Sequence, residues 1–248
     1  MKYEEIRTYS EYLGRTMACG VYGHAGHIMV AFAPQNGKHS DYADFGMVEV
    51  LSPWIDAGKL MIITPDSIDE ETWSNFGGDG ASRSARHEAW YHYIVDEMVP
   101  MIRERTENYR PLITTGCSMG AFHAANFFLR RPDLFDACIC QSGFYRSDFF
   151  FGNYMDSIVY NNSPVDFLRN MPADHYYIPL YNERQMIFCI GQGAWEWELI
   201  PKTRELEAVM KEKGIHAWFD YWGMDVAHDW PWWKKQIVYF MEKVLGPA

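Results

Sequence analysis

The chain has 248 residues, 48% of them hydrophobic and 17% aromatic, which is enough for one large core and short for two, so a single domain over 1–248 is expected. With 33 acidic against 22 basic residues the formal charge is -11, which opposes a nucleic-acid backbone or an anionic membrane surface as partner. The opening Met1-Lys2-Tyr3-Glu4-Glu5 lacks the apolar centre of a secretory signal, no run nears the roughly 20 apolar residues that span a bilayer, and the five cysteines are odd in number and mostly lie in apolar runs, so a cytoplasmic protein with no disulfide framework, metal or cofactor is expected.

In chain order, apolar runs at 16–22 and 27–32 read as strands, and the intervening Gly23-His24-Ala25-Gly26 suggests that they form a hairpin. A strand follows at 60–64, with Gly58 before it as a helix stop. Trp90, Ile94, Met98 and Ile102 then recur at helical spacing, in a stripe that Pro100 should kink or end, because proline removes a helix hydrogen bond. Strands are expected at 112–116, 137–141, 186–190 and 217–221. Leu206, Val209 and Met210 mark a helix stopped by Gly214, and Trp233, Ile237, Phe240, Met241 and Val244 mark another near the C-terminus. Alternating strand and helix implies an α/β fold with a mostly parallel central sheet and helices on both faces. Ligands gather beyond the carboxyl ends of such strands.

The strongest local signal lies at that edge: an apolar strand, then Gly116-Cys117-Ser118-Met119-Gly120, then a helix rich in Ala and Phe. This is the pattern of a nucleophile elbow, in which a tight turn holds a hydroxyl above a helix N-terminus and the glycines permit close backbone approach. A serine hydroxyl is a weak nucleophile at neutral pH and needs a histidine base oriented by an acid, in the chain order serine, acid, histidine. His228 follows the last strand and precedes the C-terminal helix. The loop Gly191-Gln192-Gly193-Ala194-Trp195-Glu196-Trp197-Glu198 supplies the acid, with Glu196 preferred over Glu198 and Asp225 because its Gly-bearing turn leads back over the sheet. Two backbone donors should meet the developing oxyanion. One is the N–H of Met119; the other belongs to Gln35 or Asn36 in Ala33-Pro34-Gln35-Asn36-Gly37, since Pro34 has none.

Other signals carry less. His87 and His92 in His87-Glu88-Ala89-Trp90-Tyr91-His92 are five apart, whereas two ligands on one helical face require four. His123 reads as a core histidine. The segment 143–185 is unusually rich in Phe and Tyr and is expected to form a lid or pocket wall for the apolar part of a substrate, or to pack on the sheet.

The elbow, together with Asp44-Phe45-Gly46-Met47, Pro53-Trp54-Ile55, Thr64-Pro65-Asp66-Ser67-Ile68-Asp69 and His228-Asp229-Trp230-Pro231-Trp232-Trp233, resembles the esterase D-like branch of the α/β-hydrolases over nearly the whole chain. The resemblance implies a three-layer α/β-hydrolase fold without a large cap domain and a serine esterase with Ser118 as nucleophile, Glu196 as acid and His228 as base. The chain departs from the commoner pattern at Pro34-Gln35-Asn36-Gly37, where a His-Gly or Asp-Gly pair is usual. The expected activity is carboxylic ester hydrolysis on short-chain or small aromatic esters, rising with pH through about 6 to 8 as the base becomes neutral. An acyltransferase with the same triad, or a binding protein on the same fold, are the alternatives. A small-molecule ester is the expected partner, with self-association left open.

Overall fold

The computed structural model describes residues 1–248. Eight strands form one sheet: β1 (Tyr3–Ser10), β2 (Arg15–Tyr22), β3 (His27–Phe32), β4 (Leu60–Pro65), β5 (Leu112–Cys117), β6 (Phe135–Gln141), β7 (Gln185–Ile190) and β8 (Trp218–Tyr221). Their order is β1-β2-β4-β3-β5-β6-β7-β8. β1, β2 and β4 pair antiparallel in that sequence, and all pairs from β4 to β8 are parallel.

Alternation along the central strands divides the core between two faces. Met29, Ala31, Ile62, Ile113 and Ile139 point to one side, where the helices Met47–Asp56 and Trp230–Val244 cover them with Leu51, Trp54, Ile237 and Phe240. Val30, Phe32, Ile63, Cys138 and Cys140 point to the other. There the helical run from Gly80 to Thr106, Met119–Arg130 and Leu199–Glu212 supply Trp90, Ile94, Phe127, Phe128, Leu206 and Val209. Full burial of one such Phe, Ile or Leu contributes about 1.5–3 kcal/mol, so the two apolar layers hold the sheet between them.

The hairpin expected between the runs at 16–22 and 27–32 does not form. β4 lies between them, pairing antiparallel with β2 and parallel with β3. The connection is instead pressed against the start of β4: a Cβ on Gly26 would fall 2.1 Å from the Lys59 carbonyl carbon, and Gly23 and Gly26 have φ of 108° and 97°. The hairpin lies one element earlier, between β2 and β1, with Gly14 at φ 64° in its turn. β1 escapes a search for apolar runs because it is an edge strand, and in Tyr-Glu-Glu-Ile-Arg-Thr-Tyr-Ser only Ile6 and Ser10 are buried.

Pro100 does not end its helix, and a change of helical form precedes it instead. The stripe Trp90, Ile94, Met98 and Ile102 is buried as read, but the helix neither ends nor breaks at the proline and runs on to Thr106. A π-helical stretch, Tyr93–Met98, comes just before it, and Pro100 then sits in the first turn of Val99–Thr106, where its missing N–H costs little. Gly58 and Gly214, with φ of 68° and 69°, do follow helix ends.

Between β6 and β7 the chain forms four short helices, Asp148–Phe151, Ser157–Asn161, Pro164–Asn170 and Tyr177–Asn182. Its rings divide by position. Tyr145 and Tyr181 are buried in the main core, whereas Phe144, Phe150 and Phe151 form a separate cluster with Trp73, Met119, Phe122, Val159, Ile190 and Leu199 at the carboxyl edge of the sheet.

Candidate active site

The strand order reverses around β3. The chain passes from β3 out to β4 and then returns to β5 on the other flank, so the carboxyl ends of β3 and β5 open a crevice of the kind that binds ligands in open α/β sheets. Phe32 is level with Gly116, which sets the turn that begins at Ala33 beside the elbow. The approach is close enough to dictate both flanking residues. A Cβ on Gly116 would lie 2.2 Å from the carbonyl carbon of Gly120, and a Cβ on Gly120 would lie 2.1 Å from the carbonyl oxygen of Phe32.

Ser118 sits at the top of this elbow with φ 57° and ψ -121°, a conformation that an L-residue holds only under strain. Its N–H donates to the Gln141 carbonyl on β6, and its own carbonyl accepts from Ala121 and Phe122 at the start of the helix. The backbone is thereby fixed from both sides. The hydroxyl does not cap the helix, although serine is a favoured cap, and the residue stays partly open to solvent. The N–H of Met119, at the first helical position, has no partner one turn back.

Glu196 is fully buried. The chain reverses at Trp195, whose φ of 67° is left-handed, and Glu196 then points inward while its carbonyl accepts from Leu199 and Ile200. Its Oε2 lies 3.1 Å from His228 Nδ1. In the tautomer that bonds a carboxylate here, Nδ1–H donates to Glu196 and Nε2 is the nitrogen left to accept. The two loops are joined through their backbones as well: His228 N–H donates to the Ala194 carbonyl at 2.9 Å and Gly193 N–H to the Val226 carbonyl at 2.8 Å. A Cβ at Gly191 would fall 2.1 Å from that Val226 oxygen, so glycine is needed for the loops to close. The other carboxylates considered for this position, Glu198 and Asp225, are exposed.

Two residues that sequence reasoning missed complete the acid's surroundings. The Ser142 hydroxyl donates to Glu196 Oε1 at 2.5 Å and accepts from the Trp233 indole N–H at 3.0 Å. Ser142 follows β6 at the carboxyl edge with φ 55°, and its only sequence signal was that position. Trp233 enters the sequence reading as part of an apolar helix face and of the segment 228–233 that carries the family resemblance, neither of which shows this bond; its ring also packs against His228, with centroids 4.9 Å apart.

Ser118, Glu196 and His228 therefore follow β5, β7 and β8 at one edge of the sheet, and the acid and histidine are joined. No hydrogen bond links Ser118 to His228 in this structure; such bonds are often loose without substrate and tighten when it binds. In the turn after β3, Asn36 adopts φ 60° and its N–H donates to Asp69 Oδ2 at 3.2 Å, whereas the N–H of Gln35 makes no such bond. His123 is buried and bonded to Asp69, as suits a core histidine. His87 turns inward to Asn162 and His92 outward to Asp96.

The wall beside the elbow is aromatic. Phe122 stacks on Phe144, Phe144 on Phe149, and Phe76 on Phe150, with Trp73 edge-on to Phe122. Arg83 ties the two loops of this wall together by donating to the carbonyls of Thr72, Trp73 and Phe150. Across the site Phe45 lies flat against Trp230, two residues beyond His228, with centroids 4.8 Å apart.

A mostly parallel sheet between two helical layers, with a strained serine elbow after β5 and an acid–histidine pair after β7 and β8, defines an α/β-hydrolase fold without a large cap domain. The family model described as "Putative esterase" matches residues 55–242, and the chain belongs to that family of esterases. Among solved structures it is similar to a ferulic acid esterase, with 17% identity, 98% of each chain covered and a TM-score of 0.77. It is also similar to an S-formylglutathione hydrolase from Agrobacterium tumefaciens, with 14% identity, 98% of this chain and 95% of that one covered, and a TM-score of 0.75. A third likeness is to the fluorophosphonate-binding serine hydrolase F of Staphylococcus aureus, with 13% identity, 99% of each chain covered and a TM-score of 0.74. No curated protein matches the chain.

Proposed function

We propose that this protein is a carboxylesterase of the serine type that acts on short-chain or small aromatic esters through an acyl-enzyme intermediate. Ser118 is the nucleophile, His228 the base and Glu196 the acid. The observation that carries the reading is the bond from His228 Nδ1 to the fully buried Glu196, on the same sheet edge as the strained and uncapped Ser118. Glu196 holds the imidazole so that Nε2 can take the Ser118 proton as Oγ attacks the ester carbonyl. The N–H groups of Met119 and Gln35 receive the oxyanion, since that of Asn36 is engaged with Asp69. The protonated imidazole then donates to the departing alcohol, and water repeats the cycle to release the acid.

Support for a small apolar or aromatic ester comes from the ring cluster packed against Met119 and Phe122, which serves as a wall for the acyl group, with 148–151 as its rim. The name of the ferulic acid esterase, whose fold this chain shares, points to the same substrate class.

The test is hydrolysis of p-nitrophenyl esters of increasing acyl length, together with labelling by a fluorophosphonate. Ser118→Ala should abolish labelling and lower kcat by about 10⁴-fold or more. Retained turnover in that variant, or an optimum at long acyl chains, would overturn the assignment.

A further inference from the structure

Asp69 is out of place for packing alone. It is 2% exposed and lies in a short turn after β4, yet a carboxylate is among the costliest groups to bury. Both of its oxygens are used. Oδ2 accepts from the backbone N–H of Asn36, the left-handed residue next to the oxyanion donor Gln35. Oδ1 accepts from His123 Nε2 at 2.9 Å. His123 lies on the helix that begins at Met119, the residue that supplies the other oxyanion donor. One carboxylate thus joins the turn that carries one donor to the helix that carries the other.

The imidazole is itself clamped. It stacks on His87 with centroids 5.6 Å apart, meets the Trp90 ring edge-on at 4.9 Å and lies against Phe32, the last residue of β3 before the turn. His87 is in turn held by Asn162, which accepts from Arg130 and donates to Glu88. The ring of His123 therefore has little freedom to follow a moving turn.

We infer that Asp69 and His123 are positioning residues that fix the spacing between the Gln35 and Met119 N–H groups, so that the two donors converge on the oxyanion. The inference rests on the proposed serine mechanism. It predicts a loss in kcat with little change in KM, because the donors act on charge that develops in the transition state, whereas a ground-state ester gains little from their convergence.

The experiment compares Asp69→Asn, His123→Leu and His123→Gln on p-nitrophenyl acetate. The active fraction of each is titrated with a fluorophosphonate, so that kcat is expressed per competent site and unfolded material does not count. An asparagine removes the charge and sets an amide N–H against one of the two partners, which breaks the arrangement in which both donate to the carboxylate; glutamine sets a donor nitrogen where His123 Nε2 stands, and leucine removes it. Asp69→Asn and His123→Leu should lose about ten- to hundredfold in kcat with KM within about threefold, and His123→Gln should recover to within about fivefold of the parent. Should Asp69→Asn fail to fold, the comparison of His123→Leu with His123→Gln decides. Parental kcat per titrated site in Asp69→Asn or His123→Leu, a change confined to KM, or equal losses in the Leu and Gln variants of His123 would overturn the inference. Ser118→Ala, run alongside, separates the two levels, since its continued labelling and turnover would remove the serine mechanism itself.

Discussion

At the scale of single residues, the proposed site depends on groups that do not react. Ser142 satisfies a buried carboxylate oxygen and a buried indole N–H together, so Ser142→Ala leaves both without a partner. It should lower kcat by about tenfold and stability by about 1–3 kcal/mol, measured by ester hydrolysis and urea unfolding. The five thiols have the opposite character, for all are buried and unpaired. Burial pushes Cys117 and Cys189 well up, and burial followed by the nearby Asp66 carboxylate pushes Cys19 up to about 12. A thiol held protonated is a poor nucleophile. Native protein at pH 8 should therefore react with iodoacetamide far more slowly than protein unfolded in urea, as read by mass spectrometry. Rapid native labelling of Cys117, next to Ser118, would contradict the close packing at the elbow.

At the scale of elements, glycine positions separate a required contact from a tolerant one. The elbow helix can approach β3 only because Gly120 has no side chain, and the obstructing atoms there are backbone carbonyls that cannot swing aside. Gly120→Ala should cost about 3 kcal/mol or more, or prevent soluble expression, because the helix must shift away from the sheet. Gly77, by contrast, lies in a loop where an added Cβ meets nothing within 4 Å. Gly77→Ala should change stability by no more than about 0.5 kcal/mol in the same denaturation assay.

At the scale of the whole molecule, buried titratable groups set how the fold responds to acid. His87 is held well below its ordinary value of 6.5, first by burial and then by the charges of His123 and Arg130. Its lowered folded value contributes stability that is present above 6.5 and is lost as pH falls below it, because the unfolded chain binds a proton that the folded one resists. For Glu88, burial acts upward but is outweighed by the Arg130 guanidinium and the Asn162 amide, so the carboxyl titrates below its ordinary 4.5. Its contribution is present above 4.5 and is lost as pH falls further. Melting temperature followed against pH should decline gently below about 6.5 and more steeply below about 4.5. In Glu88→Gln the steeper limb should flatten while the gentler one remains; an unchanged profile would show that this pair does not govern acid unfolding.

The sequence by itself determined what local pattern can encode. Apolar runs located the strands from β2 to β8 to within a few residues, helical stripes located the buried faces, and glycine spacing marked Ser118, because close backbone approach demands glycine wherever the chain ends up. The order of strands was beyond such reading. Gly23-His24-Ala25-Gly26 looks the same whether it turns a hairpin or packs against Lys59, and only the insertion of β4 between β2 and β3 decided between them. The polar partners lay beyond it for the same reason. Ser142 is unmarked along the chain, and the segments around Trp233 and Asp69, though they carry the family resemblance, do not show the partners that these residues meet; the contacts lie 54, 91 and 33 positions away. Hydrogen bonds across such separations are set by how the layers close, and that closure belongs to the tertiary structure alone.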